Sequence, residues 1–314
     1  MKRDPVRTAL DRLAAAARQP EDPATVALVR ASLSHPSHHV VARAARAARE
    51  ADLSALAPEL AQTFLRFLDD PVRRDPGCVA KTDIVRALLS FAHLAADVYL
   101  AGARHVQREP AFGRPIDTAA ELRGTSALAL VATAHPDALT VCVGLLVDPE
   151  PLARAGALRA LGASGRPDVA LALRVFVLRG DADPDVLAEA FAALLALAPA
   201  ESVPFVADGL ASRSDDVARA AALALGAGRG REAVLALRAR LPHEERLDVR
   251  RTLMLALATS RDDEAIALLL DLIARGAPAD SSAALDALRI YTHDEALQRR
   301  VQAARSRRRP GRRS

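Results

Sequence analysis

The feature that most restricts how this chain can fold is a turn that recurs along it, in which an acidic residue is followed six positions later by a basic one. Four such pairs occur: Asp75 and Lys81, Asp117 and Arg123, Asp148 and Arg154, and Glu244 and Arg250. Each acid precedes a run of Ala, Leu and Val with helical spacing, as in PEPLARAGALRALG. Self-similarity at a period of about 30 to 45 residues is typical of a repeat array, and short-turned helix pairs indicate an all-helical one.

Proline, glycine and aspartate mark where the helices begin and end. They predict a first helix at 5–18, eight helix pairs, and a last helix from about residue 293. The pairs are predicted at 23–33 and 38–50, 53–69 and 76–92, 94–106 and 117–134, 136–147 and 150–163, 166–179 and 184–197, 200–211 and 214–226, 230–241 and 244–259, and 261–275 and 278–291. No stretch alternates with a period of two residues, so no sheet is expected.

The turn pattern resembles that of the HEAT-repeat family of armadillo-type solenoids, in which a turn Asp is followed six residues later by Arg or Lys. The four pairs above carry the resemblance, and Ser37 with Arg43 keeps the base and a hydrogen-bonding substitute for the acid. Asp183 with Glu189 and Arg213 with Arg219 depart from it. The likeness covers roughly residues 23–291 and extends to stand-alone bacterial HEAT-repeat proteins. It implies the fold and says little about function, because HEAT arrays serve many tasks.

The resulting prediction is an all-α fold: a right-handed α-solenoid of about eight HEAT-like helix pairs, whose second helices line the concave side. An N-terminal capping helix precedes the pairs, and a basic tail follows them. Residues 1–298 are predicted to form one continuous domain with an insertion at 105–116, and residues 299–314 to form a disordered, arginine-rich tail. The tail contains eight Arg and no acid; without these eight charges, the net charge of +4 becomes −4.

Composition predicts the setting of the protein. The 51% of apolar residues are mostly Ala, Leu and Val, with no Trp, which predicts a closely packed core without aromatic surfaces for stacking bases or cofactors. The two cysteines, Cys78 and Cys142, are far apart and suit a reducing compartment. The charged N-terminal segment is unlike a signal peptide, and no apolar run reaches the ~18 residues of a membrane span. We therefore expect a cytoplasmic protein.

The row of bases Lys81, Arg123, Arg154, Arg219 and Arg250 allows two interpretations. It could follow a phosphate backbone, or each base could reach the acid of its own or the neighbouring turn and tie adjacent layers together. We favour the second interpretation, a structural ladder formed by Asp75, Lys81, Asp117, Arg123, Asp148, Arg154, Glu244 and Arg250.

Polar side chains concentrate around the insertion HVQREPAFGRPI, residues 105–116. Three interpretations are open: a loop whose polar groups satisfy one another while Phe112 and Ile116 pin it to the array, a partner-binding loop, or a small-molecule or catalytic site. A His with two carboxylates is too common a set to establish acid–base chemistry. The candidate partner-binding residues are His105, Gln107, Glu109, Asp117 and Glu121.

No catalytic residues, cofactor or metal site are predicted. His35, His38 and His39 lie together in HPSHH, but no Cys or carboxylate completes a tetrahedral zinc site. The tail offers a candidate polyanion-binding set: Arg305, Arg307, Arg308, Arg309, Arg312 and Arg313.

The function predicted from these patterns is a non-catalytic scaffold or adaptor that binds another protein. An alternative is weak binding of nucleic acid or another polyanion through the tail. The third alternative follows from the resemblance alone, because some HEAT arrays excise alkylated bases from DNA and others attach bilin pigments.

Overall fold

Short, alanine-rich helices make up nearly all of the regular structure. The computed structural model describes residues 4–16, 22–228 and 230–308, and 77% of the described residues are helical. They form two compact units that divide between Ser164 and Gly165. Each unit contains consecutive helix pairs, as expected for an all-α solenoid.

The first unit contains one leading helix and four helix pairs. Its helices are α1 Pro5–Ala16, α2 Pro23–Leu33, α3 His38–Glu50, α4 Ala57–Arg66, α5 Pro71–Arg74, α6 Val79–Ser90, α7 Ala96–Arg104, α8 Ala120–Ala132, α9 Ala138–Leu145 and α10 Pro151–Ala163. Short 3-10 helices occupy Ser54–Leu56 and Pro76–Cys78. Strands β1 (Arg108–Glu109) and β2 (Ile116–Asp117) are antiparallel and pair Arg108 with Asp117 and Glu109 with Ile116.

The second unit contains four further pairs and a last helix. Its helices are α11 Ala170–Arg179, α12 Pro184–Leu197, α13 Pro199–Gly209, α14 Asp215–Gly228, α15 Arg231–Arg240, α16 Leu247–Thr259, α17 Asp263–Arg275, α18 Pro278–Ala287 and α19 Glu295–Arg307. The 3-10 helices are Pro167–Val169, Leu241–His243 and Leu288–Tyr291. Each predicted helix pair therefore has a counterpart, and the all-α solenoid prediction is confirmed; handedness and the face lined by second helices stay predictions.

The second helix of each pair packs on the second helices of its neighbours. In the first unit, α3 contacts α6, α6 contacts α8 and α8 contacts α10; in the second, α12, α14, α16 and α18 follow one another in the same way. The shared core is rich in alanine, and in α3 it includes Ala42, Ala44, Ala45, Ala47 and Ala48. Small side chains allow such helices to approach closely, which confirms the core predicted from composition.

Glycine makes the closest of these contacts possible. A Cβ added to Gly156 in α10 would lie 2.3 Å from the Cα of Gly124 in α8. In the second unit, a Cβ on Gly226 of α14 would lie 2.5 Å from the carbonyl oxygen of Ala256 in α16. No side chain fits between backbones at these separations. Gly156 therefore sets the spacing between α8 and α10, and Gly226 sets the spacing between α14 and α16.

Several second helices end in the same way, with a residue in the left-handed conformation. Asp52, Ala92 and Ala134 have φ angles of 50°, 50° and 53°, and each is the second residue after the end of α3, α6 or α8. The next residue then donates its backbone N–H five positions back, as His93 does to Leu88 at 3.0 Å. This is the hydrogen bond of a Schellman cap, which satisfies the last carbonyls of a helix and turns the chain sharply.

Two features differ from the sequence prediction. A sheet was not expected, but the legs of the insertion form the two-residue strands β1 and β2; such a short ladder leaves no periodic pattern to detect. The basic tail was predicted to be disordered from residue 299, but α19 continues to Arg307. Leu297, Val301 and Ala304 of this helix are buried, and their packing explains why it continues.

Within the described ranges, no helix is long and apolar enough to cross a membrane.

Candidate functional site

The first unit contains a network of buried polar side chains, and at its centre is a completely buried ion pair. Lys81 Nζ lies 3.0 Å from Asp75 Oδ2, and both side chains are 0% exposed. Asp75 also accepts the backbone N–H groups of Ala80 and Lys81 at 2.8 and 3.0 Å. A buried charge is tolerated only when it is paired and hydrogen-bonded, so this pair caps α6 and fixes the turn before it.

The insertion is tied to this turn through Gln107 and Glu109. The Gln107 side chain is 1% exposed, and its Nε2 donates to the Asp75 carbonyl at 2.8 Å and to Glu109 Oε1 at 2.6 Å. Glu109 Oε1 also accepts from Gly77 N and Thr118 Oγ1, each at 2.7 Å. Partial burial raises the pKa of Glu109, but the hydrogen bonds from Thr118, Gln107 and Gly77 lower it by more. The pKa is therefore below its ordinary value, and the carboxylate stays ionised.

A second buried centre joins two successive turns. Arg123 Nη1 donates to Asp117 Oδ2 at 2.7 Å, while its Nε and Nη2 hold the two carboxylate oxygens of Asp148 at 2.8 and 2.9 Å. Nη1 also donates to the His105 carbonyl at 2.9 Å. Arg123 is 2% exposed, so a single guanidinium connects the insertion, its own turn and the next turn.

The same arrangement recurs in the second unit. Arg250 donates through Nη1 to the Glu244 carbonyl at 3.0 Å, and through Nε and Nη2 to the two carboxylate oxygens of Asp280 at 2.6 and 2.9 Å. The ladder base thus holds its own turn and the acid of the next repeat. Arg123 and Arg250 therefore each connect two successive turns, while two of the four predicted acid–base pairs are made differently.

The first difference concerns Arg154, which was expected to pair with the carboxylate of Asp148. Arg154 Nη1 donates to the carbonyls of Asp148 and Pro149, at 2.8 and 2.9 Å. The Asp148 carboxylate is occupied by Arg123. The second difference is Glu244, whose carboxylate is held by Arg240 and Arg246 rather than by Arg250. Sequence spacing identifies the turn but not which of several arginines reaches it.

Glu244 is the most strongly perturbed acid in the second unit. Arg246 donates to both of its carboxylate oxygens, at 2.9 and 2.8 Å, and Arg240 Nη2 donates to Oε2 at 2.6 Å. These contacts lower the pKa of Glu244 to about 2, and the hydrogen bonds from Arg246 contribute most to the shift. Arg246 continues the network to Asp215 at 2.9 Å. Neither arginine was singled out by the sequence analysis, because neither follows the six-residue spacing.

Four of the five predicted partner-binding residues are linked to one another by hydrogen bonds, namely His105, Gln107, Glu109 and Asp117. His105 Nε2 lies 3.1 Å from Gln107 Oε1, and burial lowers the pKa of His105. Asp117 is held by Arg123, and Glu121 forms an ion pair with Arg86 of α6. Their role in partner binding stays a prediction. The expected pinning by Phe112 and Ile116 is wrong, because both side chains are exposed.

The bases of the predicted phosphate-binding row and of the tail differ in their surroundings, and three of the tail arginines lie outside the described residues. Lys81 and Arg123 are buried in ion pairs, whereas Arg219 is half-exposed, 3.9 Å from Asp216. Arg308 donates to the carbonyls of Ile273 and Gly276 at the end of α17, both at 3.2 Å. Arg305 and Arg307 lie on α19. Arg309, Arg312 and Arg313 lie outside the described residues.

The histidine cluster and the cysteines show no arrangement for chemistry. His35 Nδ1 accepts the backbone N–H of Ser37 at 3.0 Å, and the rings of His38 and His39 are 3.9 Å apart. The described residues contain no group of three His, Cys, Asp or Glu that could hold a metal ion. Burial raises the pKa of Cys78 and of Cys142 to about 12, so both thiols stay protonated.

Two exposed apolar features lie outside the repeat core. Leu171, Val175 and Leu178 of α11 are 69%, 65% and 75% exposed. Phe112 at the tip of the insertion is fully exposed. The sequence analysis singled out no face of α11, and it expected Phe112 to pack on the array. The available signal was that α11 is apolar on more than one face, as in LALRVFVL.

Comparison with known proteins identifies the repeats. Residues 116–194 match the family model described as HEAT repeats, which confirms the resemblance found in the turn pattern. The search of curated proteins found no match. Among solved structures, the crystal structure of an engineered protein from the Northeast Structural Genomics Consortium matches at 17% identity and a TM-score of 0.33, over 98% of this chain and 96% of that one. That score is too low to support any conclusion about fold or function.

Proposed function

We propose that this chain, a repeat protein whose residues 116–194 are HEAT repeats, is a non-catalytic scaffold that binds other proteins in the cytoplasm. The observation that supports the proposal best is the exposed apolar face of α11. Leu171, Val175 and Leu178 are spaced four and three residues apart, which places them on one side of the helix. Apolar patches that stay exposed on a folded domain commonly mark protein interfaces.

The helix that carries this face is held firmly by its other sides. Leu173 and Phe176 are buried, and Arg174 of the same helix donates to the Glu201 carbonyl at 3.0 Å and lies 5.5 Å from the centre of the Phe205 ring. A partner would therefore meet a preformed surface and would not have to order it, which lowers the entropic cost of binding.

The buried polar groups support a structural role over catalysis. Asp117 and Asp148 each accept hydrogen bonds at both carboxylate oxygens. A general base needs a free position for a substrate proton, and these carboxylates are committed to turns and to adjacent layers. We therefore assign these charges to the architecture, and the exposed side chains to recognition.

The test compares two exposed apolar positions. Val175→Glu places a charge in the middle of the α11 face, whereas Leu94→Glu does so at an exposed position in the connection before α7. Proteins captured from the native cytoplasm by the parent and by the two variants are identified by mass spectrometry, and the binding of each is then measured with purified components. Val175→Glu should weaken binding about tenfold or more, while Leu94→Glu should leave it unchanged. Equal binding by all three proteins, with melting temperatures alike, would reject this surface.

A further inference from the structure

The insertion ends in a small, exposed hairpin, defined here as residues 108–117. Its strands pair Arg108 with Asp117 and Glu109 with Ile116, and every residue from 110 to 116 is exposed. Phe112 occupies the tip with its ring in solvent, and Ile116 beside it is 54% exposed. Burial of a phenylalanine side chain is strongly favourable, and the folded chain does not gain this contribution at Phe112.

The base of the hairpin is rigid, although its tip is free of packing. Glu109 Oε1 is fixed by Gly77 N, Gln107 Nε2 and Thr118 Oγ1 at 2.6 to 2.7 Å. Thr118 N donates to the Gln107 carbonyl at 2.9 Å, and Asp117 is held by Arg123. These contacts fix both legs to the buried network of the first unit, so the base from which Phe112 projects is already ordered before a partner binds.

The accessible charge of the hairpin is positive. Arg108 and Arg114 are exposed and form no ion pair within the described part of the chain. The two acids of the same segment, Glu109 and Asp117, are engaged at its base as described above. The hairpin therefore offers a partner an aromatic ring flanked by two guanidinium groups, while the net charge of residues 1–298 is −4.

We propose that this hairpin docks into an apolar pocket of a partner protein whose rim carries carboxylates. Phe112 fills the pocket, and Arg108 and Arg114 pair with Asp or Glu around it. Buried aromatic residues with arginine beside them are the usual energetic centre of an interface. The inference rests on the proposed scaffold function but uses a different surface from the α11 face.

Nucleic acid fits this hairpin less well than protein. Single strands are bound by successive aromatic side chains in a basic groove, whereas Phe112 is the one aromatic residue of the hairpin and its apolar neighbour, Ile116, is aliphatic. The net charge of residues 1–298, which is −4, also disfavours a polyanion at this surface. The test must therefore distinguish binding of nucleic acid from binding of a protein.

The test places the photo-crosslinking residue p-benzoylphenylalanine at position 112, 175 or 94 of the full chain in the native cytoplasm. Any protein joined at position 112 is purified, and its attachment site is mapped. Its affinity is then measured for the parent, Phe112→Ala, Phe112→Leu and the double variant Arg108→Ala with Arg114→Ala. All variants change exposed side chains, so their melting temperatures should match that of the parent.

The proposal expects an adduct at position 112 whose attachment site lies near Asp or Glu residues. Phe112→Ala should weaken binding about tenfold or more, and Phe112→Leu should restore part of it. The double arginine variant should bind more weakly at low salt and lose most of the salt dependence, since the charges it removes are those that salt screens.

Four outcomes would overturn the proposal: no adduct at 112 above that at 94, an adduct with nucleic acid, an adduct with a second copy of this chain, or a captured protein whose affinity is unaffected by Phe112→Ala. An adduct at position 175 but none at 112 would leave the scaffold function intact and remove only the hairpin. Absence of adducts at both positions would count against both proposals.

Discussion

The side chains that hold this chain together are arginines that serve two turns at once. Arg123 donates to the Asp117 carboxylate of its own turn, and Arg250 donates to the Glu244 carbonyl of its own turn. Each also holds the carboxylate of the next repeat with two parallel hydrogen bonds. A planar guanidinium can do this and a lysine ammonium cannot. Within the described residues, the Lys81 side chain, by contrast, donates only to Asp75 and to the Phe67 carbonyl, both of which lie at its own turn.

Removing a bridging arginine should therefore cost far more than removing an exposed one at the corresponding position. In Arg123→Ala, the buried carboxylates of Asp117 and Asp148 lose their partner, and breaking a buried pair in this way costs about 3 to 5 kcal/mol. Arg219→Ala is the control, because that side chain is 49% exposed and its loss should change stability by no more than about 0.5 kcal/mol. Urea unfolding followed by circular dichroism measures both. Similar losses in the two variants would contradict the bridging role.

Glu244 should make part of the stability depend on pH. Its folded pKa of about 2 lies below its ordinary value of 4.5, so its contribution is fully present above about pH 4.5 and is lost as the pH falls toward 2. Glu244→Gln removes the ionised carboxylate and should destabilise the fold at neutral pH, with the difference from the parent narrowing in acid. The control is Glu245→Gln, at the exposed neighbouring carboxylate. A difference for Glu244→Gln that stays constant over this range would show that the charge is not responsible.

Small residues, glycine and alanine, position the helices of this chain as much as the larger apolar side chains do. Gly124 and Gly156 let α8 and α10 touch through their backbones, and Gly226 does the same between α14 and α16. Alanine predominates in the rest of the second-helix core. A helix pair at this spacing has no space into which an additional side chain could relax.

Glycine-to-alanine substitutions should therefore have opposite effects in two neighbouring helices. Gly156→Ala would place a methyl group 2.3 Å from the Gly124 Cα, so α8 and α10 must separate, and we expect a loss of about 1 to 3 kcal/mol. In Gly144→Ala of α9, the added Cβ meets nothing within 4 Å. That variant should gain about 0.4 to 1 kcal/mol, because alanine loses less chain entropy on folding. Denaturant midpoints decide the matter, and a stabilised Gly156→Ala would show that the pair is not closely packed.

Charge is distributed unevenly along the whole molecule, with a mildly acidic body and eight arginines in the last sixteen residues. These arginines do not form one functional group. Arg308 holds the end of α17, while α19 brings Val301 and Ala304 into the core of the second unit.

Two C-terminal truncations should separate structure from polyanion binding. Deleting residues 309–314 removes Arg309, Arg312 and Arg313 and should leave the melting temperature unchanged, while the salt concentration needed to elute the protein from heparin falls. Deleting residues 299–314 also removes Val301 and Ala304 and should lower the melting temperature by several degrees. Retention that is unaffected by the shorter deletion would place any polyanion site elsewhere in the chain.

Local patterns in the sequence determined the helix pairs and their order. Proline and aspartate before each apolar run, and the acid and base six residues apart, are short-range signals that act within one turn, and the bounds of α2 and α3 coincide with those predicted. Residues 116–194, which match the family model of HEAT repeats, contain the same signals.

Tertiary structure alone decided which charges meet and which apolar groups stay exposed. Arg123 could reach Asp117, Asp148 or neither, and packing of α8 against α10 selected both acids. Phe112 was expected to pin the insertion, but Glu109 and Thr118 fix its legs through hydrogen bonds and leave the ring in solvent. Both outcomes depend on distances between residues far apart in the chain. A periodic sequence repeats its local signals but does not encode these distances in any one repeat.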